Sequence, residues 1–132
     1  MKIYERHYSK TQVASSSSEI FTLDFPYEAK LQKFTVQQNG GTAKPFTVVA
    51  YNFDPAGLSA SDKVKYTVIP EQAAAAGNAV ALFESLFMHR NMEGTPTNPV
   101  AKIYVEIVAA AAASPNEPVW EIAIGGEVVT SN

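Results

Sequence analysis

The sequence predicts an all-β fold, an antiparallel β-sandwich of jelly-roll type with about seven or eight strands. Three observations carry that expectation. Short runs alternate apolar and polar residues with period 2, as in "IFTLDF", "KIYVEIV" and "VWEIAI". Pro and Gly punctuate these runs, with "DFPY", "NGG" and "IGG" at their ends. No stretch keeps the 3.6 period of a long helix, and no solenoid-type repeat is present.

The N-terminal segment "MKIYERHYSKTQVASSSS" is polar and ends in the serine run Ser15–Ser18. Residues 1–18 are therefore expected as a polar arm and residues 19–132 as the sandwich domain. A serine run behaves as a flexible spacer, so the arm is either a loosely held terminus or a segment that packs on a neighbouring subunit. In the second case Ile3, Tyr4, Arg6 and Tyr8 are the partner-binding candidates, since tyrosine offers a large contact with a polar tip.

The strands follow. Phe21, Leu23 and Phe25 alternate with Thr22 and Asp24, and Pro26 ends the run. Phe34 and Val36 continue an inward face. Asn39-Gly40-Gly41 tolerates positive φ, which predicts a tight hairpin into "FTVVAYNF". In "KVKYTVIP", Val64, Tyr66 and Val68 are expected to face inward and Pro70 to end the strand. Residues 71–90 read ambiguously. Val80, Phe83 and Phe87 have helical spacing, yet "LFESLFMHR" also fits an irregular strand, and a loop or short helical turn followed by a strand is the expectation. Ile103, Val105 and Ile107 define the next inward face, and Ala109–Ala113 a strand end running into a loop. Trp120, Ile122 and Ile124 define the last inward face, with Gly125-Gly126 marking a bulge or turn.

At 132 residues the chain suits one domain, and 46% apolar with 17% charged residues places it among globular proteins. It has no cysteine, which excludes disulfides, thiolate zinc sites and cysteine nucleophiles. The N-terminus carries Lys2, Glu5 and Arg6 without an apolar core, so no secretory signal is expected. No apolar run approaches the ~20 residues that span a bilayer, so no membrane association is expected. Net charge is −3 with scattered Lys and Arg, and a nucleic-acid partner is not expected.

Catalytic constellations are absent from the residue inventory. His7 and His89 have no metal-ligand spacing around them and are expected as exposed or hydrogen-bonded structural residues. The serines lie in no nucleophile elbow, and neither Gly-Gly pair opens a phosphate cradle. Asp54 and Asp62 flank "PAGLSAS", too sparse for a calcium loop, and read as solvated loop acids. No catalytic residue, cofactor or metal is expected, and the chain is not expected to be an enzyme. Trp120 reads as core. Tyr27, Tyr51 and Tyr104 fall opposite or outside the core faces and are candidate exposed aromatics; gathered on one face, they would make a sugar-stacking platform.

Two segments, "EIFTLDFPYEAKLQKFTVQQNGGTAKPFTVVAYN" and "NPVAKIYVEIVAAAAASPNEPVWEIAIGGEVV", together resemble small β-sandwich structural proteins from virions of tailed bacteriophages, the decoration or cement proteins. The resemblance spans roughly residues 19–129 and rests on ordinary strand and turn features. It implies a non-enzymatic protein that binds and stabilises the phage head shell. The implied partners are the major capsid protein or other virion proteins and further copies in a homo-oligomer. The implied location is the capsid surface, after synthesis in the host cytoplasm. A tail or baseplate component, or a carbohydrate-binding or adhesin module, are the alternatives.

Overall fold

The computed structural model describes residues 2–81 and 87–130. In chain order its elements are β1 (Ile3–Thr11), β2 (Ser18–Asp24), β3 (Glu28–Asn39), β4 (Phe46–Tyr51), α1 (Ala60–Lys65), β5 (Thr67–Ala74), β6 (Ala79–Ala81), β7 (Phe87–Arg90), β8 (Lys102–Ala109) and β9 (Val119–Thr130). They form two antiparallel sheets. The first runs β1-β9-β3-β6, with β7 also beside β3; the second runs β2-β8-β4-β5. β6 pairs with Thr35–Gln37 and β7 with Glu28–Leu31, so both occupy one edge of β3. With β6 and β7 taken as one edge position, this is the strand order of a double-sheet jelly roll.

The core lies between the sheets and follows the alternation read from the sequence. Phe21, Leu23, Phe34, Val36, Ile103, Val105, Ile107, Trp120, Ile122 and Ile124 are all buried. Trp120 is fully enclosed, edge-on to Phe46 at 4.7 Å between ring centroids. Burying such a ring contributes on the order of 3 kcal/mol or more.

Gly40 and Gly41 do take positive φ, 77° and 66°. The expected hairpin does not form, because β3 and β4 belong to different sheets. The turn is a crossover between layers, and a Cβ on Gly41 would run into the carbonyl oxygen of Glu117. Both strands fit a half-buried surface, and period-2 patterning cannot say which strand is the neighbour.

The expectation for "KVKYTVIP" is also corrected. Ser59 caps α1, its hydroxyl accepting from the Asp62 N–H at 3.2 Å, so residues 60–65 are helical. Val64 is then 76% exposed, and Ile69 is the residue that enters the core. Tyr66 stacks instead on Phe53 at 4.6 Å. The strand runs through Pro70 rather than ending there. β5 is an edge strand, and Pro70 with Glu71 lies opposite Val49 at a register shift, a bulge where a missing N–H costs nothing.

Gly125 and Gly126 mark a bulge whose extra residue is in the partner strand. Leu31 pairs with Gly126 and Lys33 with Gly125, which leaves Gln32 unmatched. Gly126 is required there, since a Cβ would meet the Lys30 carbonyl. In the 71–90 stretch, residues up to Ala74 complete β5 and Val80 is buried in β6; Phe83 lies outside the described residues.

Candidate functional site

β1 comes from the segment expected as a free arm. It pairs with β9 along its whole length, from Ile3 opposite Glu127 to Thr11 opposite Val119. The serine turn after it is likewise held. Ser15 takes φ 65° and its N–H donates to Ala112 O at 2.8 Å, while Gln12 N–H donates to Pro118 O at 2.9 Å. The Gln12 side chain is buried, accepting from Trp120 Nε1 at 2.8 Å and donating to Ser16 O. A buried indole N–H needs an acceptor, and in this chain that need ties the turn to the core.

Of the four arm residues, the pleat puts Tyr4, Arg6 and Tyr8 on one face of β1 and Ile3 on the other. Tyr4 and Tyr8 turn towards the second sheet. Their hydroxyls lie 3.4 Å apart and both donate to Asp24 O, at 2.7 and 2.8 Å. The Tyr4 ring also meets Phe25 edge-on at 5.4 Å. Burial, then the Tyr4 hydrogen bond, pushes the Tyr8 hydroxyl well above the usual phenol range. These tyrosines therefore lock β1 across the sandwich, and their hydroxyls are already engaged. Arg6 lies 6.0 Å over the Tyr4 ring and is exposed, and Ile3 is 53% exposed.

Further along, Lys10 pairs with Glu19 at 2.6 Å and lies 5.4 Å from the Phe21 ring centroid. Two clefts open on this side of the molecule. One of about 350 Å³ is lined by Lys2, Ile3, Tyr4, Arg6, Phe25 and Pro26 among others. The other, about 380 Å³, is lined by Tyr8, Lys10, Ile20, Phe21, Thr22 and Leu23 among others. Charged residues that point inward from an edge strand also discourage uncontrolled strand pairing.

Tyr27, Tyr51 and Tyr104 are not exposed; each is at most 4% accessible. Tyr51 and Tyr104 are register partners on the outer face of the second sheet. Tyr51 donates to Glu106 Oε1 at 3.0 Å, and Glu106 also meets Lys63 of α1 at 3.4 Å. Tyr104 donates to Glu93 Oε1 at 2.6 Å. Burial first, then these carboxylate contacts, raises both hydroxyl pKa values. Tyr27 accepts from Arg90 Nε at 2.9 Å. The three rings are committed internally and make no stacking platform. Alternation placed Tyr51 and Tyr104 on the outer face correctly, but the groups that bond them there are Glu106 of β8, itself met by Lys63 of α1, and Glu93 in the turn at Asn91–Gly94.

The loop acid Asp54 accepts from Ala56 N at 3.0 Å, and Asp62 sits in the first turn of α1. Among the described residues no three of His, Cys, Asp and Glu converge as a metal site. His7 is exposed in β1, and His89 is fully buried in β7. His89 Nε2 donates to Lys102 O at 3.1 Å, its Nδ1 has no hydrogen-bond partner among the described residues, and Phe25 packs edge-on at 5.4 Å. Burial pushes its pKa down to about 4, against the opposing pull of the Lys102 carbonyl. Next to it Asn91, also fully buried, donates to the same carbonyl at 3.0 Å. Its Oδ1 accepts from the N–H groups of Glu93 and Gly94. Sequence reasoning missed Gln12 and Asn91. The Asn-x-Glu-Gly order at 91–94 is the only local sign of the second.

No protein-family profile matches the chain, and no curated protein does. Solved structures to which it is similar include those of the infectious bursal disease virus Gt and Gx strains. The Gt match has 16% identity, a TM-score of 0.38, and covers 96% of this chain and 32% of the other. The Gx match has 16% identity, a TM-score of 0.34, and covers 96% and 32%. Another is a family two carbohydrate esterase from Cellvibrio japonicus, at 9% identity, a TM-score of 0.31, and coverage of 98% and 36%. The chain thus spans about a third of each of these chains, and likenesses of this degree say nothing of what it does.

Proposed function

We propose that the chain is a non-enzymatic virion structural protein, a decoration or cement protein that sits on the head shell and stabilises it. The observation that carries this reading is the jelly-roll strand order, β1-β9-β3-β6 over β2-β8-β4-β5. That architecture serves viral capsid domains, and also lectin and cupin domains, so the step from fold to role is one of analogy. The sequence resemblance to phage decoration proteins points the same way. The burial of Tyr27, Tyr51 and Tyr104 weighs against the glycan-binding alternative.

On this reading the partner is the major capsid protein, and many weak attachments sum over a symmetric shell. The test is protein mass spectrometry of density-purified particles from cells producing the virus. The protein is expected in the particles at copy numbers that scale with the shell. Particles lacking it should break at lower temperature and recover when purified protein is added back. Absence from intact particles overturns the virion reading, and presence only in tails overturns the head assignment.

A further inference from the structure

We infer that the open edge of β2 between Ser18 and Asp24 is a docking site for an extended, acid-bearing segment of another protein chain. Among the described residues β2 pairs with β8 alone, on one side. Just beyond its ends, Phe25 N–H donates to Ala101 O and Ala109 N–H donates to Ser17 O. The odd-numbered residues therefore bond β8, and Ser18, Ile20, Thr22 and Asp24 aim their N–H and C=O groups at the free edge.

Both ends of that edge are closed by side chains of this chain. Ser16 Oγ bonds both the O and the N of Ser18, at 2.7 and 3.4 Å. At the other end the Tyr4 and Tyr8 hydroxyls cover Asp24 O. Between the two plugs, Ile20 and Thr22 keep backbone donors and acceptors with no protein partner among the described residues. The 380 Å³ cleft opens at this window. Unpaired strand edges are what β-augmentation uses, with main-chain bonds for affinity and side-chain contacts for selection.

Charge selects the occupant. A strand added to β2 turns one face towards β1, where Lys10 lines this cleft and Arg6 and Lys2 line the neighbouring cleft beyond the tyrosine plug at Asp24. Lys10 is matched by Glu19. Lys2 and Arg6 have no carboxylate within ion-pair distance among the described residues, and Asp24 is the nearby acid that only partly offsets them. A net cationic rim on a chain of charge −3 favours an acidic extended segment over a basic one. This inference holds whether or not the protein is a virion component.

The test is amide hydrogen exchange by NMR on the full chain, titrated with a capped synthetic peptide alternating valine and aspartate. Ile20 and Thr22 amides are expected to slow, and the lysine counterpart of the peptide to bind about fivefold more weakly or worse. Thr22→Pro removes an outward N–H without touching the β8 ladder and should abolish the protection. Arg6→Glu, at an exposed position that leaves the fold intact, should weaken binding by about fivefold. Absence of protection at millimolar peptide, or equal binding of the lysine peptide, overturns the proposal. Protection in the free protein that grows with its own concentration also overturns it, by assigning the edge to a second copy.

Discussion

Acid should weaken this fold through His89. The imidazole is fully buried on β7 against the Phe25 ring, its Nε2–H committed to the Lys102 carbonyl and its Nδ1 without a hydrogen-bond partner among the described residues. Its pKa is lowered to about 4 from an ordinary 6.5. The unfolded chain therefore takes up a proton first as pH falls. Stability is complete above about pH 6.5, declines below it, and levels off beneath the folded value near 4. The full difference of about 2.5 pH units corresponds to about 3 kcal/mol, of which about 2 is already lost at about pH 5. The assay is chemical denaturation at neutral pH and about pH 5, on the native protein and on His89→Gln. Glutamine keeps a donor for Lys102 O and cannot titrate. The variant should lose less than about 0.5 kcal/mol over the same interval. Equal losses in both proteins would refute the reasoning, because the acid sensitivity would then belong to other groups.

Three further outcomes follow from the packing. Gln12→Leu leaves the Trp120 N–H buried without an acceptor, and should cost about 1–3 kcal/mol by denaturant unfolding. Since Trp120 is the single tryptophan, its emission reports the transition directly. Gly126→Ala drives a Cβ into the Lys30 carbonyl and should cost more than about 3 kcal/mol, whereas Gly57→Ala, at φ 80° in open space, should cost about 1–2. Val64→Glu should change stability by less than about 0.5 kcal/mol, while Ile69→Ala costs about 2–5; the reverse ranking would restore the strand register that the sequence suggested.

Alternation was enough to locate most of the core. Trp120, Ile122 and Ile124, and Ile103, Val105 and Ile107, are buried where period 2 put them, because each strand presents one face to the opposite sheet. What alternation lacks is any record of neighbours. Gly40-Gly41 looked the same as a hairpin turn and as a crossover, since both need positive φ. Local capping also overrode it. Ser59 and Asp62 start a helix where β-formers suggested strand, and that shifts the inward position to Ile69. The β1–β2 side was only partly legible. Tyr4, Arg6 and Tyr8 were recognisable as contact-forming residues, but that Tyr4 and Tyr8 reach Asp24 rather than a neighbour depends on β1 pairing with β9, more than a hundred positions away in sequence.

The position of β9 has a further consequence for how the molecule is made. β9 lies between β1 and β3, and β8 between β2 and β4, so the last two strands each fill an inner position, one in each sheet. Until they leave the ribosome, β1 and β2 have no hydrogen-bonded neighbour, and β4 has only β5. Early folding is limited to local pairings, and the core closes in a late, concerted step that draws together distant parts of the chain. Such wiring favours slow folding and a nascent chain with bare strand edges. A ribosome-stalled chain ending before Lys102 should therefore be protease-sensitive along most of its length, and protection should arrive abruptly once Thr130 clears the exit tunnel.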